Sequence, residues 1–301
     1  PQNGITHSNL GNVLFELGQF EKALNAYDNA IALNPTYAEA WSNKGNALYE
    51  LGRYEDSLEQ HDRAIALNPI YPEAWSNKGV SYAELRRYEE ALAHYDKALE
   101  LNPQYVEAWS NKGTVLSELK LYEAAAKSFH QALILNPDLP SGKGILLHAK
   151  MLACDWQGVD ALYQSICQDI TENKKSADPF GFQGICDDES LLQKCAEIFS
   201  NTKFPASPKF DFDHLKRDGG KIRIGYLCGE FREQATAILM TEVWELHDKS
   251  RFEILAFDNG WDDKSLRRKR IEEAFNEFID ISRLSDDEAA SLIADKKIDI
   301  L

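Results

Sequence analysis

Four asparagines recur at a spacing of 34 residues: Asn9, Asn43, Asn77 and Asn111. An amide carries both donors and an acceptor, so a row of amides can pair with the N–H and C=O groups of an extended peptide without reading its side chains. Seven residues after each, Glu16, Glu50, Glu84 and Glu118 keep the same spacing, as do Lys44, Lys78 and Lys112. Asn43, Asn77 and Asn111 each follow a tryptophan (Trp41, Trp75, Trp109) by two residues, about 200° around a helix, which puts amide and indole on opposite sides. A plainer reading stands beside this one: the Asn and Glu rows keep a repeat soluble and bond locally. The lysines could instead grip a peptide's terminal carboxylate, in competition with the adjacent glutamates. His61, His94 and His130 are spaced 33 and 36 apart, off this register; they match no metal-ligand spacing and are expected at the surface.

Many other positions share the period, which is the mark of a repeat architecture. Gly11, Gly45, Gly79 and Gly113 recur at 34, as do Phe20, Tyr54, Tyr88 and Tyr122. Asn34-Pro35, Asn68-Pro69, Asn102-Pro103 and Asn136-Pro137 close four units over about 4–37, 38–71, 72–105 and 106–139. Within 38–51, Trp41, Gly45 and Leu48 fall on one helical face, and Gly45 leaves room for a partner helix. A second helix is expected over 54–67, ended by Pro69, which has no N–H to donate. This pattern resembles the tetratricopeptide (TPR) repeat, whose helix pairs stack into a superhelix. In that fold the first helix of each unit lines a concave surface, so the resemblance places the Asn and Glu rows along a groove fit for extended peptides or protein acceptors.

After Pro140 the period stops. Helices are expected over 141–154, 158–170 and 187–200, with a polar loop over 173–184, so that 140–203 reads as a helical linker region and 204–220 as a linker. From 221 to 301 short apolar runs alternate with helical stretches, which implies a parallel, Rossmann-like sheet. The fold class is therefore mostly α, a TPR superhelix followed by a helical linker and a partial α/β sheet. No G-x-G-x-x-G or P-loop follows the first strand, and no cofactor or metal site is read in this chain. The formal net charge of −16, from 49 acidic and 33 basic residues, argues against nucleic acid and anionic membranes as partners. No apolar run approaches the roughly 20 residues of a membrane span. Five cysteines without a C-x-x-C pair read as reduced thiols, hence a cytoplasmic location.

KIRIGYLCGEFREQATAILM (221–240) resembles the opening of the catalytic region of the O-linked N-acetylglucosamine (O-GlcNAc) transferase family, in particular its bacterial members. HDKSRFEILAFDNGWDD (247–263), FIDIS (278–282) and KIDIL (297–301) fit the same region, and LLHAKMLACDW (146–156) resembles a helical linker of those bacterial proteins. The resemblance implies a two-lobed fold whose first lobe begins at 221, transfer from UDP-N-acetylglucosamine to Ser or Thr of proteins, and an Asn ladder at Asn9, Asn43, Asn77 and Asn111. It places Glu230-Phe231 on an acidic-Phe pair and Gln234 where the family has a His in the cleft loop. A Gln amide does not titrate near neutral pH and cannot serve as a general base. The family's nucleotide pocket lies mostly in a second lobe. The chain, which starts without Met, is therefore expected to be a piece of a longer protein, to transfer no sugar alone and to self-associate through residues after Lys221. The alternative is a non-catalytic TPR scaffold with a vestigial transferase half.

Overall fold

The computed structural model describes residues 4–204 and 220–301. Eight helices fill the four expected units in pairs: α1 (Gly4–Glu16) with α2 (Phe20–Leu33), α3 (Ala38–Glu50) with α4 (Tyr54–Leu67), α5 (Pro72–Glu84) with α6 (Tyr88–Leu101), and α7 (Val106–Glu118) with α8 (Tyr122–Leu135). The period has a stereochemical reason at each conspicuous residue. Gly11, Gly45, Gly79 and Gly113 lie against the rings of Tyr27, His61, Tyr95 and Phe129; a methyl group at any of the last three glycines would sit 2.6–2.7 Å from ring carbon. The indole N–H of Trp41, Trp75 and Trp109 donates to the carbonyl of Pro35, Pro69 and Pro103 at 2.9–3.0 Å, tying each unit to the end of the one before. The asparagines preceding those prolines accept backbone N–H bonds two residues on, so they build the turn between units.

The lysine row also joins units. Lys44 pairs with Asp28 at 2.7 Å, Lys78 with Asp62 at 2.6 Å and Lys112 with Asp96 at 2.5 Å, each linking the first helix of one unit to the second helix of its predecessor. Inside the hairpins, Gly18 and Gly52 take left-handed turns, while Arg86 and Lys120 hold the equivalent places with φ of 57° and 61°.

The structure corrects one expectation here. His61 is not at the surface but wholly buried, with neither ring nitrogen hydrogen-bonded. It occupies the place that Tyr27, Tyr95 and Phe129 hold in the other units. His94 is half-buried between Trp75 and Tyr82, and His130 alone of the three is exposed.

α9 (Gly142–Leu152), α10 (Val159–Thr171), α11 (Pro179–Gln183) and α12 (Glu189–Lys203) follow, and α9 packs on α8 through Leu146, Ala149 and Phe129. Asp188 caps α12 by accepting from the N–H groups of Ser190 and Leu191. The stretch expected as a polar loop over 173–184 instead contains α11 and buries Ser176, Ala177 and Phe182. Asp169 holds it in place, accepting from Lys143 and from Ser176 at 2.5 and 2.8 Å. These twelve helices belong to one compact unit, residues 1–205; most of the expected linker, 205–219, lies outside the described residues.

The second unit, residues 206–301, alternates β1 (Ile222–Cys228), α13 (Ala235–Glu245), β2 (Phe252–Asp258), α14 (Leu266–Ala274), β3 (Glu277–Asp280) and α15 (Asp286–Asp295). The strands are parallel in the order β1-β2-β3, and Ile300 bridges to Ile224 on the free side of β1. Side chains along β2 alternate between two cores: Ile254 and Ala256 join Phe231, Trp244 and Phe275 on one face, and Leu255 and Phe257 join Ile281 on the other. Between β2 and α14, Arg268 and Asp258 form a buried ion pair at 2.6 Å, the residues 6% and 2% exposed. The same guanidinium donates to the carbonyl of Phe231 and to Glu272 and lies over the Phe278 ring.

Two stability tests follow from these cores. Burial pushes the His61 imidazole down to about 3, with Lys78 adding to the fall and Asp62 opposing it. The neutral form is therefore favoured on folding. The contribution is fully present above the unfolded pKa near 6.5 and is lost as pH drops from there toward 3, by up to about 1.4 kcal/mol per pH unit. His61→Phe is expected to be more stable than the parent chain, by a margin that widens from pH 7 to pH 4 in urea unfolding followed by circular dichroism; a constant margin would refute the buried neutral imidazole. Arg268→Met leaves Asp258 buried without its cation and is expected to destabilise the second unit by about 3–5 kcal/mol. Loss of hydrogen-exchange protection in β1 and β2, with α1–α8 unchanged, is the readout.

Candidate functional site

The first helix of each repeat presents the expected rows. Asn9 on α1 is exposed, and Asn43, Asn77 and Asn111 on α3, α5 and α7 are half-buried, while Glu16, Glu50, Glu84 and Glu118 are all exposed. The lysine alternative is answered by geometry: the ammonium groups of Lys44, Lys78 and Lys112 are already paired with aspartates. The glutamates differ. Among the described residues Glu16, Glu50 and Glu118 have no ion-pair partner, and Glu84 accepts a hydrogen bond from the Tyr49 hydroxyl at 3.0 Å.

At the first two units lies a cavity of about 240 Å³ lined by Asn12, Phe15, Glu16, Tyr27, Asn43 and Asn46. The Tyr27 hydroxyl and the Asn43 amide N–H both donate to the side-chain oxygen of Asn12, at 2.9 and 3.0 Å. Burial, reinforced by the Glu16 charge, pushes the Tyr27 phenol up to about 12, so it stays protonated and keeps donating. Sequence reasoning found Asn43 but missed Asn12 and Asn46. Their 34-residue spacing is a signal, but it runs for only two units before Val80 and Thr114 replace the amide. A larger cavity, about 560 Å³, lies between α9 and α11 beside Ile145, Met151 and Phe180; it contains none of the expected residues.

In the second unit the loop after β1 stands at the carboxyl edge of the sheet, where parallel folds bind ligands. Glu230 is exposed and accepts from the Thr236 hydroxyl at 2.5 Å. Phe231 is wholly buried against Trp244, Phe275 and Phe278, so it anchors the loop and is not available to a ligand. Gln234 occupies the N-cap place of α13 with no side-chain cap bond, leaving its amide exposed. The loop is fastened to the one after β2. Gly229 meets Gly260 so closely that no side chain fits at 260, the Glu233 N–H donates to Asp263 at 2.8 Å, Arg267 pairs with Glu233 at 3.0 Å, and Arg232 lies over the Trp261 ring. Glu230 and Gln234 thus share one loop, with a carboxylate and an amide to offer. Among the described residues no group of three His, Cys, Asp or Glu side chains is placed to hold a metal, and no helix is long and apolar enough to cross a membrane.

Family models for TPR repeats match residues 11–52, 43–106 and 76–140, and the model for glycosyl transferase family 41 matches residues 193–301. A probable UDP-N-acetylglucosamine–peptide N-acetylglucosaminyltransferase, SEC, of Arabidopsis thaliana is 33% identical over 89 residues, which are 29% of this chain and 9% of that protein. Among solved structures, a mutant O-GlcNAc transferase of Thermobaculum terrenum is 22% identical, with 87% of this chain and 44% of that one aligned at a TM-score of 0.47. YrrB, described as a TPR protein with an unusual peptide-binding site, is 18% identical over 65% of this chain and 93% of its own, at a TM-score of 0.45. The chain spans less than half the length of the two transferases it resembles. Along the chain, TPR repeats are thus followed by a region matching glycosyl transferase family 41, and an 89-residue stretch is similar to an N-acetylglucosaminyltransferase.

Proposed function

We propose that the TPR groove binds extended peptide segments of acceptor proteins through the amides of Asn43, Asn77 and Asn111, with Asn9 at the open end, in a cytoplasmic protein whose complete form transfers N-acetylglucosamine from UDP-N-acetylglucosamine to Ser or Thr. The observation that carries this reading is the segregation of the first helices. Their Lys side chains are consumed by inter-unit ion pairs, while the amide row one residue before them keeps hydrogen-bonding capacity at a constant 34-residue spacing. Each backbone hydrogen bond contributes about 0.5–1.5 kcal/mol net, so one amide is barely felt and three together are decisive. Changing Asn43, Asn77 and Asn111 together to Ala is expected to weaken peptide affinity at least tenfold in fluorescence anisotropy. Equal affinities would sink the ladder.

The carboxyl-edge loop supports a narrower role for the 301 residues themselves. Sugar transfer needs a group to take the hydroxyl proton, and Gln234 cannot. Glu230 remains, engaged by Thr236. We therefore assign acceptor binding, not transfer, to this chain alone, and expect no label on mixed proteins incubated with it and labelled UDP-N-acetylglucosamine. UDP binding tighter than about 1 mM in calorimetry would contradict this. In the longer protein, a rate gain from Gln234→His would place the loop at the chemistry.

Self-association belongs to the same proposal. Leu239, Val243 and Leu246 form an exposed apolar stripe on and just after α13, suited to a second copy of the chain. Light scattering of the parent and of the Leu239→Glu, Leu246→Glu double variant tests it: the variant is expected to be monomeric where the parent is dimeric.

A further inference from the structure

Going one step beyond backbone recognition, and resting on the groove reading above, we infer that the cavity at the first two repeats is a side-chain subsite that takes a Lys or Arg of the bound peptide. Glu16, the one charged residue in its lining, selects that class. The side-chain oxygen of Asn12 is saturated by two donors, Tyr27 and Asn43. What remains open is one carboxylate, that of Glu16, among Asn12, Asn43 and Asn46 amides that still offer both N–H groups and oxygens. No cation among the described residues is in ion-pair reach of Glu16, and Lys44, next to Asn43 in the chain, is held by Asp28. The Phe15 ring in the wall suits an aliphatic stem and the charge at its tip. An acidic side chain would meet the like charge of Glu16, and a purely apolar one would cover the open amides and the carboxylate.

The subsite is particular to this end of the array. In the third and fourth repeats the positions of Asn12 and Phe15 are held by Val80 and Ala83, then by Thr114 and Ser117, which offer neither amide nor ring. In the second repeat Asn46 and Tyr49 recur, but the Tyr49 hydroxyl is spent on Glu84. The groove thus reads backbone along its length and a cationic side chain at one place, which also gives the peptide a register.

The test uses the whole chain and three synthetic twelve-residue peptides of alternating Thr and Ala that differ only at one central residue: Lys, norleucine or Glu. The Lys peptide is expected to bind about three- to tenfold tighter than the norleucine peptide, and the Glu peptide weakest, with the Lys advantage shrinking as salt rises. In Glu16→Gln, an exposed and nearly isosteric change, the Lys advantage is expected to collapse. A photo-crosslinker beside the Lys is expected to label residues 4–16 or 38–50. Equal binding of the Lys and norleucine peptides, in a protein whose affinity still falls with the triple Asn→Ala change, overturns the subsite and leaves the groove reading standing. Preference for Lys that survives Glu16→Gln, or label confined to other helices, also overturns it. If none of the peptides binds, the groove reading falls and takes the subsite with it.

Discussion

The array depends on one contact made four times: a helix of each hairpin lies so close to its partner that only a glycine fits beneath the partner's ring. Gly11, Gly45, Gly79 and Gly113 accept Tyr27, His61, Tyr95 and Phe129. The ring fills the space a larger residue would claim, and that sets both the distance between the two helices and their relative rotation. Rotation is what matters for the groove. With the glycine face turned inward at every unit, the residues half a turn away, Asn43, Asn77 and Asn111, are carried to one side at constant pitch. The Trp-to-Pro hydrogen bonds and the Lys–Asp pairs then fasten unit to unit without using that side.

Charge is sorted by the same geometry. Lysines on the first helices are neutralised by aspartates of the preceding hairpin, whereas glutamates of the same helices are left uncompensated or meet only a hydroxyl. A chain with net charge −16 could have scattered its acids. Here a row of carboxylates follows the amide row along the first helices. The Asn43–Asn12 bond fixes the orientation of the Asn43 amide and leaves its oxygen and second N–H open.

Much of this was legible in the residues because the repeat samples each structural role four times. The hairpin limits over 38–51 and 54–67, the close approach at Gly45 and the strand–helix alternation after 221 all correspond to observed elements. What escaped was anything sampled once. His61 lies 34 residues from both Tyr27 and Tyr95 and fills the same hole. A histidine, however, breaks the visible run of aromatics, and comparison with His94 and His130 pointed to the surface instead. The cavity at Asn12 escaped because its amide recurs only at Asn46.

The second unit shows the other limit. Arg268 stands in a run, LRRKR, that reads as a solvated basic helix, and Asp258 ends an apolar strand ten residues earlier. Nothing local says that this arginine turns inward to pair with that aspartate, because the reason is tertiary. The carbonyl of Phe231 and the Asp258 carboxylate both need a donor at the buried end of β2, and one guanidinium serves both while stacking on Phe278. That arrangement also bears on the loop that carries Glu230 and Gln234. Phe231 is locked by its ring and by its carbonyl, so the loop is pinned at its middle and its flanking side chains project at the sheet edge from a fixed base. A loop so held does not draw its shape from the residue at 234, since the Gln234 side chain makes no cap bond to α13.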